Sequence, residues 1–304
     1  MMPTVEIRSL TKHYGAIEAV RDVSFDLHAG EVIALVGHNG AGKTTLLKLM
    51  LGLVRPSAGT VRVLGEDPAA GEFAARRRLG YLPENVSFNA ALTGREVLSF
   101  YARLKEQPVA QALSLLDQVG LGVASQRRVG TYSKGMRQRL GLAQALIGEP
   151  QVLLLDEPTT GLDPALRLEF YEIVETLRSR GATVVLSSHA LAELGERAGR
   201  VIIMNRGTMV ANGSLDDLRH LARLPSKIRL TVAEGASGIP NWLGALPSWR
   251  QVNGHIVEID AVAEDKIALL RRVTGAGAPI VDVDVVPPTL DEVYAHFLQR
   301  GAAQ

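Results

Sequence analysis

A chain of 304 residues, 46% hydrophobic and 21% charged, is long enough for about two domains that each bury a core of their own. Lys plus Arg total 33 against 32 Asp plus Glu, so no net field draws the chain onto nucleic acid, and the complete lack of Cys excludes disulfides, Cys-ligated zinc and iron–sulfur clusters. No run of about 18 apolar residues is present and the opening "MMPTVEIRSL" carries no apolar signal core, so the expectation is a cytoplasmic chain with no membrane span.

Along the chain, the first stretch with chemistry is "VIALVGHNGAGKTT" at residues 32–45. Its short apolar run predicts a buried strand that breaks at Gly37; Gly37, four residues, Gly42, Lys43 and Thr44 then follow with the spacing of a P-loop. Glycines let the backbone of Gly37, His38, Asn39, Gly40, Ala41 and Gly42 wrap closely around phosphates with its N–H groups inward. The helix predicted to start near Lys43 and Thr45 adds the positive end of its dipole. Lys43 supplies a point charge for the outer phosphates, and the Thr44 hydroxyl is placed to ligate Mg²⁺. "LLKLMLGL" continues as an amphipathic helix; His38, with no ligand-spaced partner, reads as a filler of the loop.

Further on, "RRR" at 76–78 reads as a solvated helix face. Thr93 and Glu96 predict a capping box opening one helix, and Pro108 separates it from the next. Phe88, Leu98, Phe100 and Tyr101 in this region fit either a core or a groove. "TYSKGMRQRL" at 131–140 predicts another capped helix start, at Ser133, with free N–H groups suited to an anion. "QVLLLDEP" at 151–158 predicts a central strand of a parallel sheet that ends in two acids. An acid there faces the same crevice as the P-loop. Asp156 is suited to hold Mg²⁺ through water, and Glu157 to accept a proton from a water attacking the last phosphate. Alone, paired acids after a strand are often a helix cap; beside a P-loop they indicate nucleotide chemistry.

In this order, the P-loop, "YSKGMRQR", "LLLDEP", "GLDP" and His189 after "VVLSS" resemble the ATP-binding subunit of an ABC transporter, over roughly residues 4–215. The resemblance implies an α/β P-loop NTPase fold over residues 1–220 with a helical subdomain at about 85–145. It implies ATP and Mg as ligands, with Thr44, Glu84 and Asp156 around the metal. It further implies that Tyr14 stacks on adenine, that Asp163 touches the opposite subunit, and that His189 bonds the γ-phosphate and positions the attacking water. Ser133 and Gly135 would cap the nucleotide held by the P-loop of a second subunit, so ATP would join a homodimer. Two departures stand out. Tyr132, Lys134 and Met136 replace three of the usual five signature residues, and Glu84 stands where a glutamine is expected. "YLPE" segments are common in the subfamily that serves ABC-2-type permeases.

After "MVANGSLDDL" the pattern changes, and residues 225–304 predict a separate domain. "KIRLTVA" alternates as a strand, Asn253-Gly254 marks a hairpin, "EDKIALLRRV" reads as a helix and "PIVDVDVV" as a strand. "PTLDEVYAHFL" closes with a helix capped by Thr289 and Glu292. The order of strand, short helix, hairpin, helix, strand and helix predicts a small ferredoxin-like α+β domain. It is similar to the C-terminal extension of many ABC-2-type ATPases.

The wording of "VGHNGAGKTTLLKLMLGL" and "TYSKGMRQRLGLAQALIGEPQVLLLDEPTTGLDP" is similar to the ATP-binding subunits of copper-associated exporters that serve nitrous oxide reductase maturation. That likeness implies a peripheral place on the cytoplasmic face of the bacterial inner membrane, a separate multi-span membrane permease, a periplasmic accessory protein, and copper or a sulfur species as cargo. Direct copper binding is not expected from a chain with no Cys and seven scattered His. The alternative is a soluble ABC-type ATP switch not coupled to transport. Against a ribosomal role stand the single ABC module and neutral charge. Against a chromosomal role stands the lack of a long coiled coil between P-loop and "LLLDEP".

Overall fold

The computed structural model describes residues 2–70, 73–188, 191–195, 197–232, 249–253, 255–275 and 280–301. The chain divides into two compact units between Asn212 and Gly213.

The first unit is built on two sheets. β1 (Val5–Tyr14) and β2 (Ile17–Leu27) form an antiparallel pair. β3 (Val32–Val36) is buried at every residue and leads through the P-loop to α1 (Lys43–Met50); β4 (Ala58–Val63) returns to the other side of β1. α2 (Phe73–Arg77) and β5 (Leu79–Leu82) precede a helical region of α3 (Gly94–Leu104), α4 (Val109–Gln118) and α5 (Lys134–Leu146). β6 (Val152–Asp156), α6 (Pro164–Ser179), β7 (Thr183–Ser187), α7 (Leu191–Gly195), β8 (Arg200–Asn205) and β9 (Thr208–Gly213) complete the unit. The larger sheet runs β5-β6-β7-β3-β8-β9. β6 and β7, like β3, are buried throughout, as unbroken apolar strands between neighbours require. The pairs β5–β6, β6–β7, β7–β3 and β3–β8 are parallel, so all five strands end on one edge. Asp156, Ser187, Asn205 and the start of the P-loop meet there. One apolar cluster, including Ile7, Leu10, Leu35, Leu46 and Leu154, joins both sheets and α1.

Within the helical region the Thr93–Glu96 capping box forms as expected, with backbone and side chain bonded reciprocally. Leu98 is fully buried, whereas Phe100 is exposed and stacks edge-on against Tyr101. Arg77 and Arg78 carry ion pairs to Glu106 and Glu66, so the "RRR" stretch ties its surroundings together besides being solvated.

In the second unit, α8 (Leu215–Ala222) is followed by β10 (Ser226–Val232), β11 (Trp249–Asn253), β12 (Ile256–Ala261), α9 (Lys266–Thr274), β13 (Ile280–Val286) and α10 (Leu290–Gly301). The division falls ahead of α8 rather than after residue 220, because α8 packs on α10 and Arg219 donates to the Pro288 carbonyl at 2.7 Å. The sheet order is β11-β12-β10-β13 with antiparallel pairing, the arrangement of a ferredoxin-like fold. The short helix expected before the hairpin, and Gly254 of its turn, lie outside the described residues; Asn253 Oδ1 accepts from the N–H groups of His255 and Ile256 beside that turn. The Thr289–Glu292 box opens α10. Among the described residues no helix is long and apolar enough to cross a membrane.

Candidate functional site

Lys43 is the first residue of α1 and turns back over the loop that precedes it. Its Nζ donates to the Gly37 carbonyl at 2.6 Å and to that of His38 at 3.3 Å. The side chain is 7% exposed; burial pushes its ammonium below the ordinary lysine range, while Glu157, Asp156 and Glu84 pull it back up. Gly42 caps α1 with φ 103, and a Cβ there would lie 2.5 Å from the Ala19 carbonyl of β2. A Cβ on Gly37 would lie 2.7 Å from the Met204 carbonyl of β8. The cradle thus exists only with glycine at both positions, and it offers backbone N–H groups and a buried cation, which is the donor set a phosphate chain needs.

Beside the cradle, Thr44 Oγ1 donates to Asp156 Oδ2 at 2.9 Å and Ser187 Oγ donates to Asp156 Oδ1 at 2.6 Å. The Glu157 N–H is 3.1 Å from both the carbonyl and the hydroxyl of Ser187. Register places Asp156 opposite Ser187, so β6 and β7 deliver this cluster together. Glu157 is buried and sits at φ 50, a left-handed conformation uncommon for a residue with a Cβ. Glu84, exposed just after β5, acts electrostatically on both Lys43 and Tyr81; Tyr81 is pushed up to about 12, first by burial and then by Asp156 and Glu84. Among the described residues no group of three or more His, Asp or Glu could cage a metal. The hydroxyl of Thr44 and the carboxylate of Asp156 are hard oxygen donors joined at one point, which fits Mg²⁺ completed by nucleotide phosphates rather than by protein alone.

His38 is more than a filler. Its Nδ1 lies 2.7 Å from the Asn39 carbonyl and its Nε2 3.0 Å from Asn205 Oδ1, so the ring clasps the exposed side of the loop to the end of β8. Tyr14 ends β1 at 44% exposure, with Lys12 Nζ 5.1 Å from its ring centroid. His189 lies outside the described residues; Ser188 is the last described residue before it.

Ser133, Gly135 and Asp163 form a separate group. Ser133 caps α5 by accepting from the Met136 N–H at 3.2 Å, and is itself exposed. Gly135 lies against Gly161, whose own Cβ would meet the Lys134 side chain. Asp163 caps α6, accepting from the Leu166 N–H at 3.0 Å, with Pro164 at the first helical position. Tyr132 is buried, and its hydroxyl donates to the Ala124 carbonyl at 2.7 Å beside Gly94, where a Cβ would come within 2.5 Å of that hydroxyl. The first signature departure therefore ties the start of α5 to the Ala124 segment, with the Tyr132 hydroxyl packed against Gly94 at the start of α3. Buried Gln138 on α5 donates to the Pro158 carbonyl, next to Glu157. Sequence reasoning passed over Ser187, Asn205 and Gln138. For Ser187 a signal was available, since "VVLSS" ends an apolar strand just as "LLLDE" does.

The family model described as ABC transporter matches residues 20–160. The daunorubicin resistance ATP-binding protein of Streptomyces coeruleorubidus is 34% identical over 96% of this chain and 95% of its own. The Nod factor export ATP-binding protein I of Rhizobium meliloti is 34% identical over 98% of this chain and 89% of its own. A solved structure of the ATP-binding subunit of an ABC transporter superposes with a TM-score of 0.68 at 32% identity, over 72% of this chain and 92% of its own.

Proposed function

The chain belongs to the ABC transporter ATP-binding family, and from that premise we propose that it is the ATP-hydrolysing subunit of an exporter, working as a homodimer beneath a separate multi-span permease. The observation that carries this reading is the hydrogen-bonded cluster of Thr44, Asp156, Ser187 and the Glu157 backbone at one edge of the sheet, with buried Lys43 within their electrostatic reach. In it the loop amides and Lys43 bind the outer phosphates, and Thr44 and Asp156 would hold Mg²⁺, with Glu84 as a further oxygen donor. Mg²⁺, when bound, neutralises charge that builds on the transferred phosphoryl group. Glu157 accepts the proton of the attacking water, and His189 keeps that water in line. Tyr14 stacks on the adenine.

In this reading Ser133 meets the γ-phosphate on a second copy, Gly135 admits close approach and Asp163 touches the opposite subunit; the exposure of Ser133 at the start of α5 supports it. Lys43→Ala and Ser133→Arg test this sharing. Each alone is expected to abolish phosphate release, and mixed dimers are expected to recover one working site out of two. Mixtures as inactive as the parents would reject shared sites.

The cargo contacts lie in the partners. The relatives concerned with daunorubicin resistance and Nod factor export favour an organic cargo. Copper or a sulfur species for nitrous oxide reductase maturation is the second reading, supported by the wording of the P-loop and signature segments alone. Pull-down from gently solubilised membranes separates the two. A permease arriving with a periplasmic accessory protein rich in metal or sulfur ligands favours copper; a permease alone favours an organic cargo. Recovery of ribosomes or no permease would move the chain to the soluble ATP switches and end both readings.

A further inference from the structure

The sheet of the second unit has two unlike faces. One is packed: Ile228, Leu230, Val257, Ile259 and Ala261 close on Val273 of α9. Period-two alternation turns the residues between them to the other side. Pairing there sets one charged residue per strand in a single row: Asp284 of β13 is opposite Arg229 of β10, Arg229 opposite Glu258 of β12, and Glu258 opposite Arg250 of β11. From edge to edge, over about 14 Å, the row reads minus, plus, minus, plus.

The middle of this row is rigidly held. Arg229 donates from Nε and Nη2 to Glu258 Oε1 at 3.1 and 2.8 Å, and Arg250 donates from Nε and Nη2 to Oε2 at 3.0 and 2.6 Å. These bonds hold the Glu258 carboxyl below the usual range. The two arginines cover Glu258, which is 5% exposed, but are themselves 43% and 67% exposed. Their Nη1 groups make no hydrogen bond among the described residues.

We propose that this face pairs with the same face of a second copy of the chain, the two rows running antiparallel about a two-fold axis. In that alignment Asp284 meets Arg250 of the second copy at both ends of the row, while each Glu258 stays covered by its own two arginines, so opposite signs face each other at the two outer positions. Running the rows in the same direction would set Asp284 against Asp284 and Arg250 against Arg250. The alternation therefore selects one isologous arrangement, and the pre-fixed guanidinium planes lower the cost of forming it. Such pairing needs no nucleotide. It would keep two protomers close to one another after ATP has been hydrolysed, at a raised effective concentration for the next ATP-dependent closure.

The test is sedimentation of the full chain without nucleotide or Mg²⁺. The wild type is expected to dimerise, and added salt to weaken the dimer. Arg250→Glu and Asp284→Arg are each expected to weaken it by about tenfold or more. Mixed in equal amounts, the two variants are expected to regain the wild-type affinity, because both outer contacts become opposite in sign again. That rescue cannot arise inside one chain, since β10 and β12 separate the strands that carry the two residues. Arg250→Gln, which removes the charge without setting two acids together, must also weaken the dimer and guards against misfolding of the reversal. A wild type that is monomeric, variants that stay dimeric, or a mixture that stays monomeric would each overturn the proposal. Because no nucleotide is present, none of these outcomes bears on the shared ATP site.

Discussion

Asp156 is the hinge of the site's chemistry, because one carboxylate accepts two hydroxyls from different elements, Thr44 of α1 and Ser187 of β7. Removing Ser187 should leave the phosphate cradle intact yet let both Asp156 and the Glu157 backbone drift. Ser187→Ala is expected to slow phosphate release about tenfold with nucleotide affinity nearly unchanged, as loss of a hydrogen bond to a charged group implies. An equal fall in affinity would show that Ser187 serves binding. Glu157 allows a sharper separation, since its carboxylate and its backbone make different demands. Glu157→Gln and Glu157→Gly should both lower phosphate release by about 10² or more, the scale of a lost general base. Only glycine relieves the φ of 50, so the Gly variant should unfold at a higher temperature than the Gln variant. A Gly variant that melts lower would remove backbone strain from the account. Lys43, Thr44 and Asp156 were legible in the sequence because fixed spacing or a strand end places them. Ser187 and Asn205 were not read there, since their meaning comes from partners 31 and 167 residues away.

At the scale of elements, the apolar strands β3 and β6 and the capped helices were legible because burial and capping leave local marks. What ties the helical region to the sheet leaves none. Lys105, the residue ending α3, donates to the Leu79 carbonyl of β5 at 2.9 Å and to the Ile147 carbonyl at the end of α5 at 3.0 Å. In the sequence it is one more lysine in a polar stretch. Burial lowers its pKa from 10.5 to about 8. The unfolded chain therefore keeps this proton to higher pH than the folded one, so stability should rise with pH from about 8 towards 10. Lys43, also lowered by burial, acts in the same direction, and Tyr81, raised to about 12, acts in reverse only above its ordinary 10.0. The test is thus a difference below pH 10. Urea midpoints of the wild type should rise across that interval more than those of Lys105→Met. Parallel curves would mean that Lys105 is not a buried cation. The same substitution should slow hydrolysis modestly, since α5 carries Ser133.

At the scale of the molecule, the order of the described strands and of α9 and α10 in the second unit was legible, but the place of α8 was not. Its amphipathic pattern and Ser214 cap say that it packs on something without saying on what. Each unit has a core of its own: one includes Ile7, Leu46, Leu154 and Met204, the other Ile228, Leu230, Ile259 and Val273. Separate cores predict separate unfolding transitions, and only the first unit contains the P-loop. Calorimetry of the full chain should therefore show two transitions. Nucleotide at about a hundred times its dissociation constant adds about 2.7 kcal/mol to the state that binds it, which for a unit of this size is a rise of roughly 5–10 °C in one transition. Lys43→Ala should abolish that rise and leave the other transition where it was. A single transition moving as a whole would mean that the units unfold together, and that nucleotide binding at the P-loop is felt energetically in the sheet that carries the charged row.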